Sequence, residues 1–153
     1  MSSIEQSIAV DVPVRAAYDQ WTQFETFPSF MEGVEAVQQR DDTHLHWVAN
    51  IAGVRREWDA EITEQRRDER IAWHALDGTE NAGVVTFHRL DENRTKVMLQ
   101  LDVEPEGIVE QAGDKLGFVR RQVSGDLERF KEFIEGRQHE TGAWRGTVDR
   151  SDV

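Results

Sequence analysis

Two hydrophobic periods divide the chain. From Val34 to Val103 apolar residues return at every second position, and from Glu106 to Glu135 at every third or fourth. In the second segment Val109, Ala112, Leu116, Val119, Val123, Leu127, Phe130 and Ile134 line one face of a predicted α-helix, with Glu110, Asp114, Lys115, Arg121, Asp126, Glu128, Arg129, Lys131 and Glu132 opposite. A helix of about thirty residues is roughly 45 Å long. It cannot bury such a stripe against itself, and most of the preceding chain reads as strand, so its partner is a sheet. Gly113, Gly117 and Gly125 interrupt the helix, each at ~1 kcal/mol relative to alanine. Close packing on the sheet explains them, and so does room left for a ligand; the second reading puts Gly113 and Gly117 at the widest part of a cavity.

The earlier segments fall in order. Ile4, Ile8 and Val10 alternate with polar residues as a first strand. Pro13 sits where a helix start tolerates it, and Val14, Ala17, Tyr18, Trp21 and Phe24 follow at helical spacing. Phe27, Phe30 and Met31 around Pro28 predict a second short helix, ended by Gly33. Strands are then predicted over 34–39, 45–49, 54–62, 71–75, 83–87 and 97–103. Their turns fall at Asp41-Asp42, Asn50 to Gly53, Arg66 to Glu69, Asp77-Gly78 and Asp91 to Asn93. Short turns between consecutive strands make an antiparallel meander. In the third of these strands Arg56 is in phase with Val54, Trp58, Ala60 and Ile62, so its guanidinium is expected to point inward. The meander's inner face is rich in large aromatics: Trp47, Trp58, Trp73 and Phe87, with Leu99 on the last strand.

Length and charge narrow the class. A chain of 153 residues fits one domain with a substantial core. The division expected is a folded unit over 1–137 and a polar tail over 138–153. A formal charge of −12 opposes attraction to nucleic acid or anionic lipid. Cysteine is absent, which removes disulfides, thiolate metal sites and a cysteine nucleophile. The first ten residues do not form a signal peptide, and no apolar run approaches membrane-spanning length. The expectation is a cytoplasmic protein without stable membrane insertion.

The order strand, two helices, six strands, long helix resembles the helix-grip fold, shared by START-type lipid-transfer domains, birch-pollen-allergen-like proteins and polyketide cyclases. More specifically, His46-Trp47, Glu57-Trp58-Asp59-Ala60-Glu61-Ile62, Glu69-Arg70-Ile71-Ala72-Trp73, Asn81-Ala82-Gly83-Val84-Val85-Thr86-Phe87 and Asp126-Leu127-Glu128-Arg129-Phe130-Lys131 resemble the bacterial polyketide cyclase/dehydrase group. Coenzyme Q-binding proteins are similar to it. The resemblance spans about Ser3 to Arg137, and 141–146 looks like endings seen in that group. It implies an α+β helix-grip fold: a curved seven-stranded antiparallel sheet wrapped around the long C-terminal helix, two short helices after the first strand, and a cavity between sheet and helix. Members of the group include enzymes and proteins that only bind lipids, quinones or other apolar molecules.

The candidate cavity residues are Tyr18, Phe27, Phe30, Met31, Trp47, Arg56, Trp58, Trp73, Phe87, Leu99, Gly113, Leu116 and Gly117. Apolar walls with a few polar groups suit a small-molecule site. Arg56 would anchor a carbonyl, phenolate or carboxylate, or else form a structural ion pair or reach water. Tyr18 is the only tyrosine and either donates to a ligand or packs in the core. The aromatics around Pro28 border the expected cavity mouth and are candidates for a gate. His44, His46, His74 and His88 share the outer face with no third metal ligand at suitable spacing, so no metal or cofactor is expected. No serine sits in a nucleophile elbow, and there is no phosphate loop or dinucleotide fingerprint. The leading reading is binding, transport or sequestration of a hydrophobic, lipid- or quinone-like molecule. The rival is a polyketide cyclase, aromatase or dehydratase using Arg56 and Tyr18 in the same cavity. A third is an interaction protein, including a homodimer, built on the outer sheet face or the tail.

Overall fold

A computed structural model describes residues 2–51, 54–76, 81–103, 115–137 and 142–149. The strands are β1 (Ser2–Val10), β2 (Val34–Gln39), β3 (His44–Ile51), β4 (Val54–Arg66), β5 (Arg70–Ala75), β6 (Asn81–Asp91) and β7 (Arg94–Val103). They form a curled antiparallel sheet in the order β1-β7-β6-β5-β4-β3-β2. Between β1 and β2 lie helix α1 (Val14–Trp21) and a 3₁₀ helix over Phe24–Ser29. The last long helix, α2, runs over Lys115–Arg137.

The topology explains where the core sits. β1 and β2 lie on opposite edges of the sheet, so α1 and the 3₁₀ helix must carry the chain across its width. Pro13 caps α1 from an extended conformation, as a residue with no amide hydrogen can. Pro28 sits inside the 3₁₀ helix, close to its end, with Phe30 as the C-cap. On the concave side Ile4, Ile62, Ile71, Val85 and Val97 are sealed from solvent. They meet the α2 stripe, in which Val119, Val123, Leu127, Phe130 and Ile134 are all buried. Trp21 lies 4.9 Å edge-on to Phe130, and Phe30 lies 5.2 Å from the same ring. These contacts fasten the crossing segment to α2. The far end of α2 is held by Glu135, which accepts from the Asp11 amide at 2.7 Å.

Several expectations lie outside the described residues: the Gly53 end of one turn, the Asp77-Gly78 turn, the start of the last helix, and Gly113. Leu116 and Gly117 belong to α2, but their surroundings also lie outside.

Part of the tail packs back onto the sheet. Val148–Asp149 form a short strand, β8, that pairs with Glu64 and Gln65 of β4. Pairing of β4 with β3 ends at Glu61, so β8 continues that edge where β3 runs out. The Trp144 amide donates to Thr22 Oγ1 at 3.1 Å. The segment 142–149 is therefore packed on the same unit as the rest of the described chain.

Candidate functional site

Between sheet and α2 is a cavity of about 190 Å³. The sheet supplies Leu45, Trp47 and Ala49 from β3, Trp58 and Ile62 from β4, Ile71 and Trp73 from β5, and Leu99 and Leu101 from β7. Alternation along each strand puts these side chains on one face. The helix contributes Val119, Gln122, Val123, Asp126 and Leu127, and the crossing segment closes one end with Trp21, Phe24, Phe27, Met31 and Gly33, next to Val34 at the start of β2. Trp47 and Trp58 are paired across β3 and β4, and their rings stack 5.9 Å apart at an interplanar angle of 2°. Phe27 lies 5.7 Å from Trp47. The Trp73 ring covers Gly83 of β6, where an added Cβ would come within 2.5 Å of it.

The rim at Phe30 to Gly33 is fastened to α2 by polar contacts. The Phe30 carbonyl accepts from Arg129 Nε at 3.0 Å, and the Glu32 amide donates to Asp126 Oδ1 at 3.0 Å. Arg129 also pairs with Asp126. Gly33 admits the Gln122 amide, whose nitrogen would stand 2.0 Å from an added Cβ. Met31 therefore lies on a rim latched on both sides. Burial pushes the Asp126 carboxyl above its ordinary pKa, although the Arg129 and Glu32 hydrogen bonds favour its charged form.

Of the residues singled out from the sequence, Phe27, Met31, Trp47, Trp58, Trp73 and Leu99 line the void. Tyr18, Phe30, Phe87 and Arg56 do not. Tyr18 and Phe87 meet edge-on at 5.4 Å in the core under α1. Phe30 is enclosed by Trp21, Phe130 and Phe133. Arg56 keeps the inward phase of β4, half-buried opposite Ala49, but lies off the cavity wall. Sequence reasoning placed Asp126 on the solvent face of the helix and passed over Gln122. Their positions one turn apart, at the border of the apolar stripe, were the available signal. Ile62, Ile71, Val119, Val123 and Leu127 were in phase with the inner faces and extend the wall.

A second polar cluster lies away from the void, beneath the tail. Arg145 pairs with the buried Asp19, meets Asp68 at 2.9 Å, and stands over the Tyr18 ring at 5.7 Å. Burial raises the Tyr18 pKa, with Gln65 and Arg145 opposing. Gln65 stands beside the Tyr18 hydroxyl without closing a hydrogen bond. On the outer sheet face His46 bridges Asp59 at 2.8 Å and Glu57 at 3.1 Å, while His74 meets Glu61 at 3.3 Å. Among the described residues no three His, Asp or Glu side chains converge as a metal site, and no helix is long and apolar enough to cross a membrane.

Comparison with known proteins agrees with this architecture. An uncharacterized 17.2 kDa protein from the melC2-rnhH intergenic region of Streptomyces lincolnensis is 64% identical over 149 residues, covering 97% of this chain and 99% of that protein. The Zhui aromatase/cyclase of Streptomyces sp. R1128 superposes with a TM-score of 0.73 at 17% identity, over 94% of this chain and 99% of that one. A START superfamily protein from Mycobacterium smegmatis gives 0.64 at 14% identity, over 83% of this chain and 97% of that one. At these identities the two structural likenesses are of fold. Residues 10–132 match the family described as polyketide cyclase/dehydrase and lipid transport, and the chain belongs to that family.

Proposed function

We propose that the protein binds a compact hydrophobic molecule between the sheet and α2. The observation that carries this reading is the void itself: about 190 Å³, walled by four indoles, two phenyl rings and aliphatic side chains. An apolar cavity of about 150 Å³ takes up benzene and otherwise stays dry. This one suits one or two fused rings. It falls short of the roughly 300 Å³ at which pockets for drug-sized ligands begin. A long lipid or isoprenoid chain requires the rim or α2 to move. Thermal unfolding with a graded series of benzene-, naphthalene- and isoprenoid-sized compounds tests this. The two smaller classes are expected to stabilise the fold, by about 2.7 kcal/mol at a hundredfold excess over Kd. A series without any shift, together with no bound molecule in organic extracts of the purified protein, would refute it.

Catalysis in the same cavity is the second reading, cyclisation, aromatisation or dehydration of a polyketide-like substrate. The family description and the aromatase/cyclase among its structural relatives favour it. Its acid–base group is better sought in Asp126 than in Arg56 or Tyr18. Asp126 borders the void, and its raised pKa brings it nearer the range for proton transfer. Asp126→Asn keeps an acceptor for Glu32 and Arg129, so the variant should fold and retain ligand. Turnover unchanged by that substitution would remove Asp126 from the mechanism.

A further inference from the structure

Resting on the binding reading above, we propose that Gln122 and Asp126 form the polar end of the cavity and together recognise a hydroxyl carried on the ligand's ring. The ligand is then a compact phenol-type molecule. Its hydrocarbon part lies among the indoles and its hydroxyl at the seam between α2 and the crossing segment.

Among the described residues lining the void, Gln122 and Asp126 are the side chains that are neither apolar nor aromatic. They stand four residues apart on α2, so they are neighbours on one face and a single small group can reach both. Each meets the crossing segment: the Gln122 amide nitrogen lies over Gly33, and Asp126 accepts from the Glu32 amide. Met31 and Gly33, across the seam, also line the void, and all four residues are half-buried rather than sealed. The polar end of the cavity is therefore its mouth.

Both side chains keep hydrogen-bonding capacity there. Asp126 Oδ1 receives the Glu32 and Arg129 hydrogen bonds, while Oδ2 has no donor among the described residues. The Asp126 side chain is 15% exposed, and Oδ2 is not a sealed atom. The Gln122 amide likewise has no partner among the described residues and is not sealed. The mouth thus offers an N–H donor beside a carboxylate acceptor. A hydroxyl meets both, donating to Asp126 Oδ2 and accepting from Gln122 Nε2. A cation suits the site less, because Asp126 is already paired with Arg129. A carboxylate would stand against Asp126 in a chain of formal charge −12. Water can hydrate both groups at this open end, so the ligand hydroxyl gains only the net worth of the exchange, a factor of about three to ten in affinity.

Indane, 5-indanol and 5-methoxyindane share one ring system and differ in a single substituent. Isothermal titration of each into the wild-type protein separates shape from polar recognition. The phenol should bind about threefold to tenfold tighter than indane, and the ether, which accepts but cannot donate, should lack that advantage. Asp126→Asn keeps an acceptor for Glu32 and Arg129 but puts an amide N–H where Oδ2 stood. It should therefore raise the affinity for the ether relative to the phenol at least about threefold. Gln122→Met leaves the mouth apolar at that position, and should shrink the phenol's advantage while leaving indane binding nearly unchanged. If Asp126→Asn does not fold, Gln122→Met keeps the test decisive, because the Gln122 amide carries no hydrogen bond of the fold among the described residues. Equal wild-type affinities for indane and the phenol, or an advantage for the phenol that survives both substitutions, overturn this proposal and leave the cavity reading standing. Binding of none of the three probes overturns the cavity reading and this proposal with it.

Discussion

Replacing Arg145 by methionine should destabilise the fold far more than an ordinary change in a C-terminal segment. Arg145 is the cation that reaches inward to Asp19, whose side chain is 1% exposed, and it also meets Asp68 at 2.9 Å. Methionine retains much of the apolar stem over Tyr18 but removes the charge. A buried carboxylate that loses its partner typically costs 3–5 kcal/mol. Arg15 stands 3.6 Å from the other Asp19 oxygen, but its side chain is 68% exposed, and such a contact contributes at most about 1 kcal/mol. The expected loss is therefore about 2–4 kcal/mol, or a fall in Tm of roughly 5–15 °C for a chain of this size. Urea denaturation of wild type, Arg145→Met, Asp19→Asn and the double variant measures it. Asp19→Asn should rescue part of the Arg145→Met loss, giving a coupling of at least 1 kcal/mol. A single-variant cost below about 1 kcal/mol, or strict additivity, would refute the claim that the segment is fastened through this pair.

Two further outcomes follow from the sheet. Gly83→Ala should cost about 1–3 kcal/mol in denaturation experiments, because its Cβ would stand 2.5 Å from the Trp73 ring and 2.9 Å from Leu101, and a cavity-lining indole has to shift. Hydrogen bonds to Asp59 and then Glu57 raise the His46 pKa, so its contribution to stability is complete below the unfolded value of about 6.5 and fades as pH rises through the folded one. An NMR titration of His46 should give a midpoint above 6.5, and the stability difference between wild type and His46→Gln should shrink from pH 6 to pH 8.

The parts of this molecule that were legible in the sequence are those governed by local period. The inward phase of β4 can be followed through Trp58, Ala60 and Ile62 because apolar and polar residues alternate there. It fails two residues later. The register with β5 shifts between Ile62 and Glu64, and Gln65 is turned inward and buried. Glu64, Gln65 and Arg66 are all polar, so no pattern marks the change. Asp126 was misplaced for a related reason: a helical period assigns a carboxylate to solvent, whereas its partners come from Glu32, 94 residues earlier, and from Arg129 one turn away. Tyr18 was rightly put on the apolar side of α1, but its surroundings depend on Arg145. The ion pair of that arginine with Asp19 spans 126 residues of sequence. Partners so distant leave no local trace, and neither does the cavity, whose volume is the small remainder after large side chains have packed.

That remainder carries a cost, which makes it testable. Space left between packed side chains forfeits contacts they would otherwise make, so the void of about 190 Å³ stands for packing not made. Ala49 borders the void, is 3% exposed, and lies on β3 two residues from Trp47. Ala49→Leu would extend a side chain into empty space rather than into a filled core. Each methylene group buried contributes about 0.8 kcal/mol, so the variant should gain about 1–2 kcal/mol after the entropy of ordering the longer chain. It should also lose affinity for one- and two-ring ligands at least tenfold. Denaturation midpoint and ligand titration on the same variant test both halves. A stabilised variant that no longer binds would mean that the sheet and helix are kept apart at the expense of stability so that a ligand can enter. A destabilised variant that binds normally would mean that Ala49 faces packed side chains and that the binding volume lies elsewhere.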